Sequence, residues 1–319
     1  MSKNSLVQVD TNDPIFDRAL AGASVSWELI KSLETEDLRD ALKKADIAFM
    51  PEDCSAASAL HRMMRDLFQD RACLVKPCPN PTGSNRPAYA VLPRKDEFGK
   101  MAFKQTWSAG IDVVDVGGVA DVSIAFSIND AGETEAPPEV IEDMVTQFPA
   151  YLASLGSDEI SGWLVGLVKS FLKGVPTIGG AGTFFIGPQE VPMWRKLREA
   201  VKPFGIRLYE IPAMRTSEAL ECVVESVKRY TGRAIEELQE DLKKYQELKE
   251  QRKTNPKVRE IQHRVLQSRE ARIKEQLAVV EKYEALFDVK MNELRESLGS
   301  LQEGFGNLTL IGQIAEESV

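Results

Sequence analysis

The chain has 319 residues with 43% hydrophobic and 28% charged side chains, ordinary values for a soluble protein, and its length suits roughly two domains of about 150 residues. Its formal net charge of -9 argues against wholesale phosphate binding. Only 2 histidines (His61, His263) and 4 cysteines (Cys54, Cys73, Cys78, Cys222) are present, so clustered-imidazole catalysis and zinc chemistry have almost no raw material.

Met1 to Asp10 has no apolar run of the length a secretory leader needs. The most apolar stretch, Ile160 to Leu172, is 13 residues long and contains Lys169, whereas a bilayer crossing takes about twenty. Cys73 and Cys78 match neither a zinc knuckle nor a redox pair. The expectation is a cytoplasmic protein with reduced thiols, no membrane contact, no cofactor and no metal.

Residues 1–70 read as an N-terminal helical region of three helices. Trp27, Ile30 and Leu33, then Leu38 and Leu42, then Leu60, Met63, Met64 and Leu67 recur at steps of about three and four. Thr35 and Ser55 are the expected N-caps of the second and third helices, because a hydroxyl there accepts an orphan backbone N–H.

Residues 71–129 read as an antiparallel β region. Pro77, Pro79, Pro81, Gly83 and Pro87 mark a turn-rich loop, and alternation then predicts strands at Ala88 to Leu92, Met101 to Ser108, Ile111 to Val116 and Asp121 to Asn129. Short turns at Asp96 to Gly99 and Gly117-Gly118 favour antiparallel pairing.

Residues 130–214 read as an α+β region. A linker (130–138) precedes helices at about Pro138 to Leu155 and Ser157 to Leu172, a hairpin over Gly174 to Pro188, a helix over Val191 to Lys202 and a strand over Ile206 to Ile211. Between Asn129 and Val168 there is no Lys or Arg against 8 acids: Asp130, Glu133, Glu135, Glu139, Glu142, Asp143, Asp158 and Glu159.

Residues 215–301 read as a coiled-coil hairpin arm. Leu220, Val224, Val227, Thr231, Ala234, Leu238, Tyr245 and Leu248 make one seam; Leu266, Ile273, Val280, Phe287, Leu294 and Leu301, spaced by seven, make a second. A narrow apolar stripe must be covered by another helix, and the break at Thr254-Asn255-Pro256 folds the two segments back on each other. Helices of roughly forty residues would give an arm on the order of 60 Å long. Residues 302–319 are left as a tail with an apolar, Gly-broken strip. The fold class is therefore α+β, with N-terminal helices, an antiparallel sheet body, a small α+β unit and a long antiparallel helical hairpin.

No catalytic set emerges. The glycines of Gly174 to Pro188 lead into an apolar run and lack the Lys-Ser/Thr of a phosphate loop. Asp112, Asp115 and Asp121 flank a turn at a spacing that fits no calcium loop. Two clusters could bind partners. From Glu250 to Lys274 the presumed arm tip carries 8 bases against 3 acids, and Arg252, Lys253, Lys257, Arg259 and Arg264 are its candidate contact residues. In the strand region Arg86, Arg94, Lys95, Lys100 and Lys104 are interleaved with Tyr89, Phe98, Phe103 and Trp107, a composition that suits single-stranded nucleic acid.

The stretch GGAGTFFIGP, followed by a helix and RLYEIPAMRTSEALECVVESV entering the helical region, resembles a group of uncharacterised bacterial and bacteriophage proteins with a C-terminal coiled coil. The likeness covers about residues 160 to 300. It implies a cytoplasmic or viral setting and supplies no activity or catalytic residues. The reading is a non-enzymatic assembly or scaffold protein that uses its arm for self-association or for another protein. The alternative is a nucleic-acid-binding accessory factor.

Overall fold

The structure, a computed structural model, describes residues 20–29, 32–68, 73–93, 107–116, 119–129, 131–178, 182–247 and 256–316. In chain order the elements are β1 (Leu20–Glu28), β2 (Ser32–Glu34), α1 (Thr35–Lys44), α2 (Ala56–Phe68), β3 (Cys73–Cys78), β4 (Ala88–Pro93), β5 (Trp107–Val116) and β6 (Val119–Phe126). There follow α3 (Pro138–Ala153), β7 (Ser154–Gly156), α4 (Ser157–Gly166) with a π-helical turn at Leu167–Phe171, β8 (Val175–Pro176), β9 (Phe184–Ile186), α5 (Val191–Val201) and β10 (Arg207–Met214). Three long helices close the chain: α6 (Ser217–Glu247), α7 (Pro256–Phe287) and α8 (Asn292–Glu316). The protein is thus a mixture of helices and antiparallel sheets, the α+β class expected. No helix among the described residues is long and apolar enough to cross a membrane.

The chain divides into two compact units, one drawn from residues 1–28, 164–202 and 207–319, the other from 29–163 and 203–206. In the second, a four-stranded meander, β3-β4-β5-β6, is antiparallel throughout, and a two-stranded sheet pairs β2 with β7. α2 packs on α3 and on β3 and β5. Leu38, Leu42, Leu60, Met63, Met64, Ala109 and Met144 are fully buried in this unit. The edge of Phe68 meets Trp107 at 5.3 Å between ring centroids.

Two strand expectations change. Trp107 to Val116 is one continuous strand, β5, rather than the ends of two; residues 101–106 lie outside the described residues. Pro77, expected to open the turn-rich loop, lies instead within strand β3, Cys73–Cys78. Its position at the edge of the meander leaves one side of the strand unpaired, so the missing proline donor is tolerated.

In the first unit the sheet order is β10-β1-β9-β8, all antiparallel. This overturns the first expected N-terminal helix: Leu20–Glu28 is a central strand with Ala23 and Val25 buried on β9 and β10. The three-residue spacing of Trp27, Ile30 and Leu33 imitated a helix, but Trp27 stacks on Phe184 at 5.6 Å from within the sheet. Thr35 proves to be the first residue of α1, with Glu34 at the cap position, whereas Ser55 does cap α2 by accepting the Ser58 N–H at 3.1 Å.

The helical region also differs from expectation. Residues 292–301, expected to continue the second arm helix, and most of the tail from 302 belong to α8, with Asn292–Glu316 its span. α7 stops where Asp288 takes a left-handed φ of 54°. α6, α7 and α8 pack on one another around one apolar cluster that includes Val227, Leu238, Ile273, Val280, Leu298 and Phe305.

Candidate functional site

The helical region is anchored on its own sheet. Val175 and Phe185 of the β8–β9 hairpin join the helical cluster, and Phe185 lies 6.1 Å from the ring of Tyr283 on α7. The Tyr283 hydroxyl donates to the carbonyl oxygens of Lys173 at 3.1 Å and Phe185 at 3.3 Å. Beside it, Lys282 donates to the Leu172 carbonyl at 2.7 Å and pairs with Glu190 at 3.0 Å. Burial lowers the proton affinity of the Lys282 amine, and the Glu190 carboxylate opposes that shift.

Further along, Asp241 pairs with Arg269 at 2.9 Å and Glu237 with Arg272 at 2.5 Å. Because the numbers fall on α6 as they rise on α7, the two helices run in opposite directions. The Asp241 carboxylate is therefore satisfied by the facing helix. At the α7–α8 turn Glu284 accepts the Met291 N–H at 2.6 Å and an ion-paired hydrogen bond from Arg295. Together these two donors hold its carboxyl below the usual carboxylate range. A carboxylate at position 284 of α7 therefore serves the turn into α8.

Of the expected tip residues, Arg264 is exposed on α7. Lys257 and Arg259 lie in the first turns of α7 with side chains outside the described residues, and Arg252 and Lys253 also lie outside them. In the strand region Arg86 is exposed and pairs with Asp112 at 3.4 Å, while Arg94, Lys95, Lys100 and Lys104 lie outside the described residues. Trp107 is 4% exposed and so belongs to the core, and Tyr89 stacks on His61 at 4.8 Å. Neither ring is laid open as a platform for bases.

A polar cavity of about 130 Å³ in the other unit was not foreseen. One wall is α2, with Ser58, His61, Arg62 and Arg65; the other is Gly156 at the end of β7 and the first turn of α4, Ser157 to Glu159. Arg62 is 6% exposed. Its Nη2 donates to the carbonyls of Tyr151 at 2.6 Å and Ser154 at 2.7 Å, and its Nη1 to Glu159 Oε2 at 3.1 Å. Its Nε is buried without a partner. The same Glu159 oxygen accepts the Gly156 N–H at 2.9 Å, so the carboxylate caps α4 and neutralises Arg62 together. A Cβ on Gly156 would come within 2.6 Å of Arg62 Nη1, which is why glycine stands there.

Ser58, His61 and Asp158 border this cavity, yet their contacts build no nucleophile and base. The Ser58 hydroxyl pairs with Ser55 Oγ at 3.0 Å, and Asp158 faces Arg65 at 3.6 Å. Among the described residues no three His, Cys, Asp or Glu side chains gather as metal ligands would.

A family described as "Family of unknown function (DUF6744)" matches residues 22–310, most of the chain. The chain belongs to this family. No curated protein and no solved structure matches it.

The DUF6744 match takes in both units, so the cavity and the helical region lie within the matched span. The cavity was not visible in sequence because its walls are about ninety residues apart: the Arg62–Glu159 contact spans a separation of 97. In the sequence Glu159 is only one acid in a window without bases, and Arg62 one polar residue of an amphipathic helix.

Proposed function

We propose that this protein is a non-enzymatic assembly or scaffold protein, in which α6 and α7 form an antiparallel coiled coil whose turning end is gripped by a second copy or by another macromolecule. The observation that supports this reading is the clamp at the other end. Lys282 and Tyr283 hold α7 to the chain around Leu172, Lys173 and Phe185, and Pro256, where α7 begins, lies about 40 Å away along that helix. A long helical element with a fixed base transmits force or position to its far end. Ordering so many residues carries a large entropic cost that contact at the far end offsets.

The acidic window and the basic tip are complementary, which makes a second copy the first partner to test. Size-exclusion chromatography with light scattering at low and high salt is the experiment. The expected result is an oligomer whose mass falls as salt rises, and whose formation is weakened when Arg252, Lys253, Lys257, Arg259 and Arg264 are replaced by Gln. A strict monomer at low salt that also captures no partner overturns the reading. Retention of single-stranded nucleic acid with a steep salt dependence would replace it with the nucleic-acid alternative.

A further inference from the structure

We infer that Thr231 on α6 and Gln276 on α7 form a register key: two buried polar side chains that fix which turns of the two helices face each other, kept there without a gain in stability. Thr231 is fully buried and Gln276 is 2% exposed. In sequence the first lies between the buried apolar residues Val227 and Leu238, the second between Ile273 and Val280. The hydroxyl oxygen of one and the amide oxygen of the other have no hydrogen-bond partner among the described residues. Polar atoms buried in this way cost free energy, so apolar side chains of similar shape would serve the core at least as well.

Apolar spacing alone leaves the register undecided. On α7 Leu266, Ile273, Val280 and Phe287 recur every seven residues, and on α6 Val224 and Leu238 stand seven residues to either side of Thr231. Sliding one helix past the other by seven residues sets apolar against apolar again, at little cost. Polar residues remove that degeneracy. In the observed register Asp241 meets Arg269 and Glu237 meets Arg272. Counting along the antiparallel helices from the first pair brings Gln276 opposite the small side chain of Ala234, about one turn from Thr231. There Gln276 also stands within hydrogen-bonding reach of the Tyr230 hydroxyl.

A slip of seven residues in one direction carries Gln276 to the larger, apolar Val227 and Arg269 to Ala234, which strands an amide and a charge. A slip in the other direction takes Arg269 away from Asp241. The two ion pairs are partly exposed and so are screened by salt, whereas the buried residues act at any ionic strength. How α6 and α7 pair in this way is independent of what their far end contacts.

The test compares the full-length protein with its Thr231→Val/Gln276→Leu variant at high salt. Glu237→Cys and Arg272→Cys, added to both in a Cys222→Ser background, report the native register through a short bismaleimide cross-link quantified by peptide mass spectrometry. Urea midpoints are read without the reporter cysteines. The expected result is a midpoint no lower than that of the native protein, together with a several-fold loss of the 237–272 cross-link as other registers become populated. An unchanged cross-link yield overturns the register role. A lowered midpoint, or a variant that fails to fold by circular dichroism, overturns the claim that the polar atoms bring no stability. Absence of the cross-link with Thr231 and Gln276 in place refutes the pairing from which the key is inferred.

Discussion

The Tyr283 hydroxyl donates to the Lys173 carbonyl oxygen 3.1 Å away, tying α7 to a residue 110 positions earlier. Lys173 stands at a left-handed φ of 52°, just beyond the π-helical turn. That backbone reversal presents its carbonyl to the helix, and the Phe185 carbonyl shares the same donor at 3.3 Å.

Tyr283→Phe keeps the ring and removes the donor, leaving the two carbonyls short of a partner. A loss of about 1–3 kcal/mol is expected from the cost of buried unsatisfied groups. Thermal unfolding followed by circular dichroism measures it, and an unchanged midpoint would show that the hydroxyl contributes nothing.

The same phenol carries a pH signature. Burial pushes its pKa up from the ordinary tyrosine value, so the folded state holds this proton more tightly than the unfolded chain. Its contribution is complete below about pH 10, the value for an unfolded tyrosine, and declines above it as the unfolded chain ionises first. Urea titrations between pH 9 and 11 should show stability falling with pH, and falling less steeply in Tyr283→Phe.

Glu284 has the opposite sign. The Met291 N–H, foremost, and Arg295 lower its pKa, so its contribution is present above about pH 4.3 and is lost as acid titrates the folded carboxyl. Glu284→Gln should lower the unfolding midpoint at pH 7 and narrow its gap from the native protein as the pH falls towards 3. A gap independent of pH would mean that the charge is not what closes the α7–α8 turn.

Arg62→Met removes the partner of the part-buried Glu159 carboxylate and of two carbonyls at once. Leaving these groups unpaired is expected to cost about 1–3 kcal/mol. Chemical denaturation reads this directly, and a cost near that of an exposed arginine would contradict the network.

Gly22 has a φ of 151°, and a Cβ there would stand 2.2 Å from the Ile186 carbonyl oxygen and 2.5 Å from the Phe185 ring. The contact at Ile186 is with backbone, which cannot swing aside. Gly22→Ala should destabilise by on the order of 3 kcal/mol, visible as a lower denaturation midpoint or a loss of soluble protein.

Local pattern alone identified most elements. Alternation placed β4 and β6, the Gly-rich stretch placed the β8–β9 hairpin, and apolar periodicity placed α2, α3 and α5, because each of these follows from which face of a short segment must leave water. The seven-residue spacing likewise identified long amphipathic helices. It could not show that Phe287 and Leu294 lie on different helices, since the spacing runs unbroken through the left-handed residue Asp288. Nor could it show that Gly304 lies against Leu242, where a Cβ would meet the leucine at 2.8 Å; read alone, the glycine looked like a helix breaker.

What tertiary structure decided is what distant segments do for one another. Leu20–Glu28 is a strand because β9 and β10 flank it, with Trp27 opposite Leu208 across 181 positions. The Arg62 cavity exists because the start of α4 returns to α2. Side-chain period reports only which face of a segment is apolar, whereas pairing partners and converging donors depend on where the chain comes back, and that is set by the packing of the whole.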